Sequence, residues 1–132
     1  MDIDKEELKK KLDAEAYHVT QEKGTEAPFS GKYVNHNEQG MYNCKVCGQT
    51  LFASDAKLDS SKGPVGLQGW PSFDQALPGA VEYQDDNSMG MHRTEIVCSR
   101  CKAHLGHVFD DESEKTGKHF CLNSCALDFD KK

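Results

Sequence analysis

The spacing of hydrophobic positions changes once along the chain. In the first twenty residues Leu8 and Leu12 recur four apart among charged neighbours, which places them on one face of a helix. Asp4 stands where an N-cap belongs, and Glu7 three residues later completes an acidic form of the capping box. Asp13 offers a second cap ahead of "AEAYHVTQ", so two short helices ending near Thr20 are predicted, forming an arm that packs on the rest of the chain. Beyond residue 40 short β-rich runs take over: "GMYNC", "TLFAS", "AVEYQ", "MHRTEIVC", "LGHVFDD", "KHFCLN" and "ALDF", each set off by Gly, Asn, Asp or Ser. In "HRTEIV" the polar–apolar alternation is partial, as in a strand with one buried face. "DSSKGPVGLQGW" carries three glycines and a proline in twelve residues and reads as a loop. The pattern predicts one mainly β, antiparallel domain over 1–132, with a helical arm over 1–20 and a β core over 40–130.

Composition narrows the function classes. A chain of 132 residues, 36% hydrophobic and 29% charged, has room for one modest core. Its formal net charge of −6 repels phosphate backbones and argues against a nucleic-acid surface. No apolar run approaches the roughly 18 residues of a membrane span. The N-terminus is charged throughout and lacks the apolar middle of a signal peptide, so a reducing cytoplasm is the expected setting. In such a compartment cysteines serve metals or redox chemistry more often than structural disulfides, and this chain has six.

Four of the six form two C-x-x-C pairs, Cys44/Cys47 in "CKVC" and Cys98/Cys101 in "CSRC". Zinc takes four thiolates in a tetrahedron, and each pair supplies two from one side. Gly48 after the first pair lets the backbone turn tightly beneath a metal, whereas the second pair has Lys102 there. A thioredoxin-like redox couple is the competing use of C-x-x-C, but it opens a helix after a strand, and "YNCKVCGQTLF" has turn-and-strand character. The matched pairs predict one Zn²⁺ held by Cys44, Cys47, Cys98 and Cys101, closed to chemistry and therefore structural.

Cys121 and Cys125 remain. Cys121 lies in a predicted strand beside aromatics, with His104 and His107 in "AHLGHVF" and His119 in "KHF" close by in sequence. A thiol becomes a nucleophile where its thiolate is favoured, and a histidine can protonate a departing oxygen. The same residues also read as a buried apolar thiol and ordinary strand histidines, so the pattern by itself leaves both open. Trp70 in "GWPSF" and Asn123 before Ser124 are likewise open between site and core, or site and turn.

A set of motifs in order tips the balance: "EELKKKL…YHVTQEKGTEAPFSGKY", "YNCKVCGQTLFAS", "GWPSFDQAL", "MHRTEIVCSRCKAHLGHVFDD" and "FCLNSCALDF". Over nearly its whole length the chain resembles the zinc-bearing type B methionine sulfoxide reductases, which act on the R epimer. The resemblance implies two twisted antiparallel sheets. It places the nucleophile at Cys121, the substrate-facing asparagine at Asn123, the paired histidines at His104 and His107, and the methyl-pocket tryptophan at Trp70. It implies attack of a Cys121 thiolate on the sulfoxide sulfur, a cysteine sulfenic acid, and re-reduction by thioredoxin or another thiol.

Two positions depart from the family pattern. Gln68 occupies the place where many relatives carry a resolving cysteine, and His119 stands two residues before Cys121 where arginine is common. His119 is thus a second expected substrate-side group, weaker and pH-dependent as a cation. Cys125 is then the remaining candidate resolving thiol. Four residues of regular strand span about 13 Å, against a Cα separation of about 7 Å at most for a disulfide. On that distance a packed Cys125 is favoured, with the Cys121 sulfenic acid reduced directly by an external thiol. The expected activity is repair of methionine-R-sulfoxide, free or in proteins, by a monomer. The alternative is a zinc-ribbon-like binding module without catalysis, which would require none of Cys121, the histidines or Trp70.

Overall fold

The computed structural model describes residues 4–34, 36, 38–58, 69–87, 93–110 and 116–131. The predicted loop is therefore outside the described residues from 59 to 68, Gln68 included.

Both predicted helices form. Helix α1 spans Lys5–Lys11, and the Asp4 carboxylate accepts hydrogen bonds from the Glu6 and Glu7 amides at 3.0 and 3.4 Å. Helix α2 spans Ala14–Glu22, with Asp13 accepting from the Ala16 amide at 2.8 Å. It ends two residues later than expected, because Lys23 closes it in the left-handed conformation at φ 59°. Helices this short are marginal alone. Each cap contributes about 0.5–2 kcal/mol, and burial of Leu8, Leu12, Ala16 and Val19 supplies the rest. The arm lies over the β core, where α2 packs on strand β6 and on a 3-10 turn at Ser124–Ala126.

Among the described residues eight strands follow: β1 (Gly40–Cys44), β2 (Thr50–Ala53), β3 (Ser72–Phe73), β4 (Val81–Asp86), β5 (Arg93–Cys98), β6 (His104–Asp110), β7 (Lys118–Leu122) and β8 (Leu127–Lys131). Seven match the β-rich runs of the sequence within a residue or two; the two-residue β3 has too little pattern to signal itself. They build a three-stranded sheet, β2-β1-β8, and a five-stranded sheet, β3-β7-β6-β5-β4, with every pairing antiparallel. Exposed β4, "VEYQDD", guards one edge with charge.

Side chains alternate between the faces of a strand, so the five-stranded sheet has two characters. One face carries Phe73, Phe120, Leu122 and Ile96, which meet Phe52 and Tyr42 of the smaller sheet. Phe52 stacks on Phe73 at 4.5 Å and meets Phe120 edge-on at 5.9 Å, while Tyr42 meets Phe73 at 5.1 Å. The opposite face is polar. One rung of the ladder crosses all five strands through Ser72, Cys121, His107, Glu95 and Gln84.

A bulge in β6 is needed to complete that face. His104 and His107 are three apart, which in a regular strand would point them to opposite sides. Register shifts between Ile96 and Val97 so that Val97 pairs with His104 while Glu95 pairs with His107, and Leu105 is the extra residue. Both rings therefore share the polar face, 5.4 Å apart. Gly106 lets β6 and β7 approach there: a Cβ on it would lie 2.0 Å from the Cys121 carbonyl oxygen. Gly106→Ala must push the strands apart, a clash of backbone that typically costs about 1–3 kcal/mol or more. A lowered urea midpoint with an unchanged slope is the expected reading, and wild-type stability in the alanine variant would refute this account of the bulge.

Candidate functional site

Each C-x-x-C pair sits on the turn of a hairpin, Cys44/Cys47 between β1 and β2, and Cys98/Cys101 between β5 and β6. The turns are alike: the Gly48 amide donates to the Cys44 carbonyl at 2.8 Å, and the Lys102 amide to the Cys98 carbonyl at 2.9 Å. Lys102 takes the left-handed conformation that Gly48 takes, with φ 64° against 81°, at a cost of about 1–2 kcal/mol for a residue with a Cβ. The four sulfurs lie within 4.8 Å of one another, and the Cys44–Cys101 and Cys47–Cys98 pairs are both 3.6 Å apart. Zinc–sulfur bonds of about 2.3 Å in a tetrahedron place sulfurs about 3.8 Å apart, so the cluster can hold zinc. Thiol contacts with Cys101 and Cys44 pull Cys98 down to about 2, and contacts with Cys101 and Cys98 push Cys44 well up. Four such thiols do not ionise together without a cation among them. Gln49 joins the turns, its amide donating to Ser99 Oγ at 2.9 Å and to the Ala80 carbonyl at 2.8 Å.

A second site lies on the polar face of the large sheet. A cavity of about 80 Å³ is lined by Thr25, Trp70, Arg93, Gly106, His107, Phe109, Cys121 and Asn123. Cys121 is 9% exposed. Burial first, and then the negative charge of Glu26, pushes its thiol from 9.0 up to about 12, with the Ser72 hydroxyl pulling the other way. Burial therefore favours the thiol form of Cys121 in the substrate-free chain. Trp70 forms one wall and donates its indole N–H to the Glu26 carbonyl at 2.8 Å. Asn123 accepts from the Glu26 amide at 2.9 Å and donates to the Leu105 carbonyl at 3.0 Å, which ties the α2 exit to the β6 bulge. Its amide nitrogen carries a second N–H.

The two histidines are held differently. His107 places Nε2 2.8 Å from Asp86 Oδ2, an oxygen that Arg93 also reaches at 3.3 Å. His104 places Nδ1 2.7 Å from Glu95 Oε2, and Lys23 at the end of α2 bonds the other oxygen at 3.3 Å. Burial lowers the His104 pKa against the pull of Glu95, so the ring is neutral near pH 7. Its Nε2 is buried with no hydrogen-bond partner among the described residues. His104 touches the His107 ring but does not line the cavity. His119 does not line it either: 1% exposed, it reaches Ser72 Oγ at 3.0 Å, one residue removed from Cys121. The permanent cation on the cavity wall is Arg93. Cys125 lies in the 3-10 turn that ends the regular strand, so the 13 Å premise fails, yet it faces a different cavity from Cys121.

Sequence reading missed Arg93, Asp86, Glu95, Ser72 and Glu26. A signal for two of them was present: Arg93 and Glu95 alternate with Thr94 and Ile96 in a strand that pairs on both sides. Charges at alternate positions of such a strand mark a covered polar face. Gly106 inside "HLGHV" was the corresponding hint of a bulge.

The raised thiol sets a pH dependence. Below pH 9 Cys121 is protonated in folded and unfolded chains alike, and stability is indifferent to it. As pH rises from 9 towards about 12 the unfolded chain ionises first, so stability falls. Alkylation of the substrate-free protein, followed by peptide mapping, should show Cys121 reacting with a midpoint clearly above 9, and Glu26→Gln should lower it. A midpoint near 7 would contradict this.

The SelR domain family matches residues 12–131. The mouse protein named methionine-R-sulfoxide reductase B3, mitochondrial, is 50% identical over 94% of this chain, which spans 47% of that relative's length. The peptide methionine sulfoxide reductase MsrB of Methanosarcina barkeri is also 50% identical, over 94% of this chain and 84% of its own length. The MsrB of Herminiimonas arsenicoxydans is 51% identical over 90% and 83%. Among solved structures, the Mis18 "Yippee-like" domain superposes with a TM-score of 0.55 at 16% identity, covering 72% of this chain and 98% of that one, a likeness of fold. With the family match spanning nearly the whole chain and relatives at half identity, the chain belongs to the SelR-domain family, the type B methionine sulfoxide reductases.

Proposed function

We propose that this chain reduces methionine-R-sulfoxide, free or in proteins, to methionine with Cys121 as nucleophile. The observation that carries the reading is the cavity in which Cys121, His107, Trp70 and Asn123 converge in a chain half identical to named reductases. The Trp70 wall suits the sulfoxide methyl, and the donors opposite it suit the oxygen. Cys121 sulfur attacks the sulfoxide sulfur, and the thiol proton reaches the oxygen by way of His107, whose ring gives one proton to the oxygen as the S–O bond weakens and regains one from the thiol. The net transfer moves one oxygen from methionine sulfur to Cys121, giving methionine and a sulfenic acid. One external thiol converts the sulfenic acid to a mixed disulfide and water, and a second releases Cys121. Thioredoxin or a small thiol fits that role. His104 acts by fixing His107, and His119 by bonding Ser72 beside Cys121 rather than by touching substrate. Cys125, facing another cavity, stays outside this cycle. A zinc-ribbon module without catalysis is disfavoured, since it leaves the Cys121 cavity without a use.

The four-cysteine cluster takes zinc and is structural. Zinc binding of this kind contributes on the order of 10 kcal/mol or more, far above the strain at Lys102. The protein acts as one domain, as a monomer, in a reducing compartment such as the cytoplasm; no described helix is long and apolar enough to cross a membrane.

Assayed separately, the R sulfoxide should turn over and the S sulfoxide should not, with Cys121→Ser abolishing the reaction while retaining its zinc. Comparable rates on both epimers, or an active serine variant, would rule the reading out. Cys98→Ser should lose zinc and melt well below wild type; a metal-free protein that stays folded and active would contradict a structural role.

A further inference from the structure

A third cluster of ligand-type side chains lies away from both sites. Glu15 in the first turn of α2, Glu26 beyond its end and Cys125 in the 3-10 turn each offer one oxygen or sulfur within 4.8 Å of the others. They line a cavity of about 230 Å³ that shares no residue with the Cys121 cavity.

Glu26 is the telling member. Its side chain is held in the interior, the residue being only 3% exposed. One carboxylate oxygen accepts from the Cys125 amide at 3.1 Å. The other is buried with no hydrogen-bond partner among the described residues, and faces Gly31 on the wall of the same cavity. A buried carboxylate oxygen without a donor is destabilising.

The remaining charges of the cavity are already engaged. Asp13 caps α2 through the Ala16 amide, Lys45 pairs with Asp128 at 2.9 Å, and the Lys32 ammonium sits 5.1 Å over the Tyr33 ring. Two carboxylates and a thiol are left facing one another.

We propose that Glu15, Glu26 and Cys125 form a second cation site, selective for a thiophilic divalent ion of the zinc type. One sulfur with two carboxylate oxygens is a zinc-like donor set with a fourth position left for water, and the sulfur disfavours magnesium and calcium. Binding releases the Cys125 thiol proton to solvent and gives the bare Glu26 oxygen its partner. The ligands come from both ends of α2 and from the 3-10 turn, so a bound ion clamps the helical arm onto the β core. Glu26 is also the residue whose backbone holds Trp70 and Asn123. The clamp therefore bears on the cavity beside Cys121, although the proposal does not depend on what Cys121 does.

The test uses the full chain in a Cys121→Ser background, so that the other reactive thiol does not contribute, with the four-cysteine cluster already loaded. Zn²⁺ is titrated by equilibrium dialysis with elemental analysis, and Cys125 alkylation is followed by peptide mapping. One further equivalent should bind, Cys125 should be protected at least tenfold, and Tm should rise. Cys125→Ser, and independently Glu15→Gln, which changes only an exposed side chain, should each weaken that equivalent at least tenfold while the first zinc stays in place. No further equivalent, or one bound equally well by both variants, overturns the proposal.

Discussion

Contact between two hairpin turns is the constraint on which the rest of this structure depends. The β1–β2 turn belongs to the small sheet and the β5–β6 turn to the large one, and the four sulfurs are where the sheets are tied end to end. Aromatic packing of Phe52 and Tyr42 against Phe73 and Phe120 fills the space between the sheets, but packing of that kind tolerates sliding. Four cysteines within 4.8 Å of one another, a set that can bind a metal, leave less freedom. Cys98 and Cys101 lie where β5 ends and shortly before β6 begins, and so bear on where the β6 bulge falls. The position of His104 and His107 relative to Cys121 depends on the register there.

The site then follows from strand parity. Alternation sends apolar side chains of the large sheet into the core and sends Ser72, Cys121, His107 and Glu95 to the other side in one rung. A polar face of this sort would normally meet water. Here α2 and the chain leaving it cover the face, with Lys23 reaching Glu95 and the Glu26 backbone reaching Trp70 and Asn123. The segment leaving α2 is thus more than packing: Thr25 lines the cavity, and the Glu26 backbone holds Trp70 and Asn123 on its wall.

Much of this was legible in the sequence, for physical reasons that can be named. Two-residue periodicity and turn residues marked seven strands, the caps Asp4 and Asp13 marked both helices, and paired spacing marked the metal cluster. Order of motifs marked Cys121, Trp70, His107 and Asn123, which the structure brings into one cavity. Long-range pairings stayed hidden. Nothing local reveals that His119 reaches Ser72, that Asp86 bridges His107 and Arg93, or that the charge of Glu26 acts on both Cys121 and Cys125. The raised pKa of the Cys121 thiol was hidden for the same reason, since burial and the charge of Glu26 are properties of the folded chain.

The role proposed for Cys121 has to be reconciled with a thiol pKa raised by burial, and the chemistry of the sulfoxide does so. Sulfoxide reduction consumes protons at the oxygen as fast as it consumes nucleophile at the sulfur. A preformed thiolate would gain attack rate but bring no proton to the oxygen. A buried thiol brings both to the same cavity. The energetic burden then shifts from maintaining a charge in an apolar setting, which costs several kcal/mol when unpaired, to stabilising charge only as the S–O bond weakens. In the proposed reaction, groups that donate at that moment gain most in the transition state, and His107, backed by Asp86, and Asn123 line the cavity where such donors are needed. Burial of Cys121 is therefore consistent with the proposed reactivity, provided the donors are held in place before substrate arrives, and hydrogen bonds to the Asp86 carboxylate and the Leu105 carbonyl and from the Glu26 amide hold them.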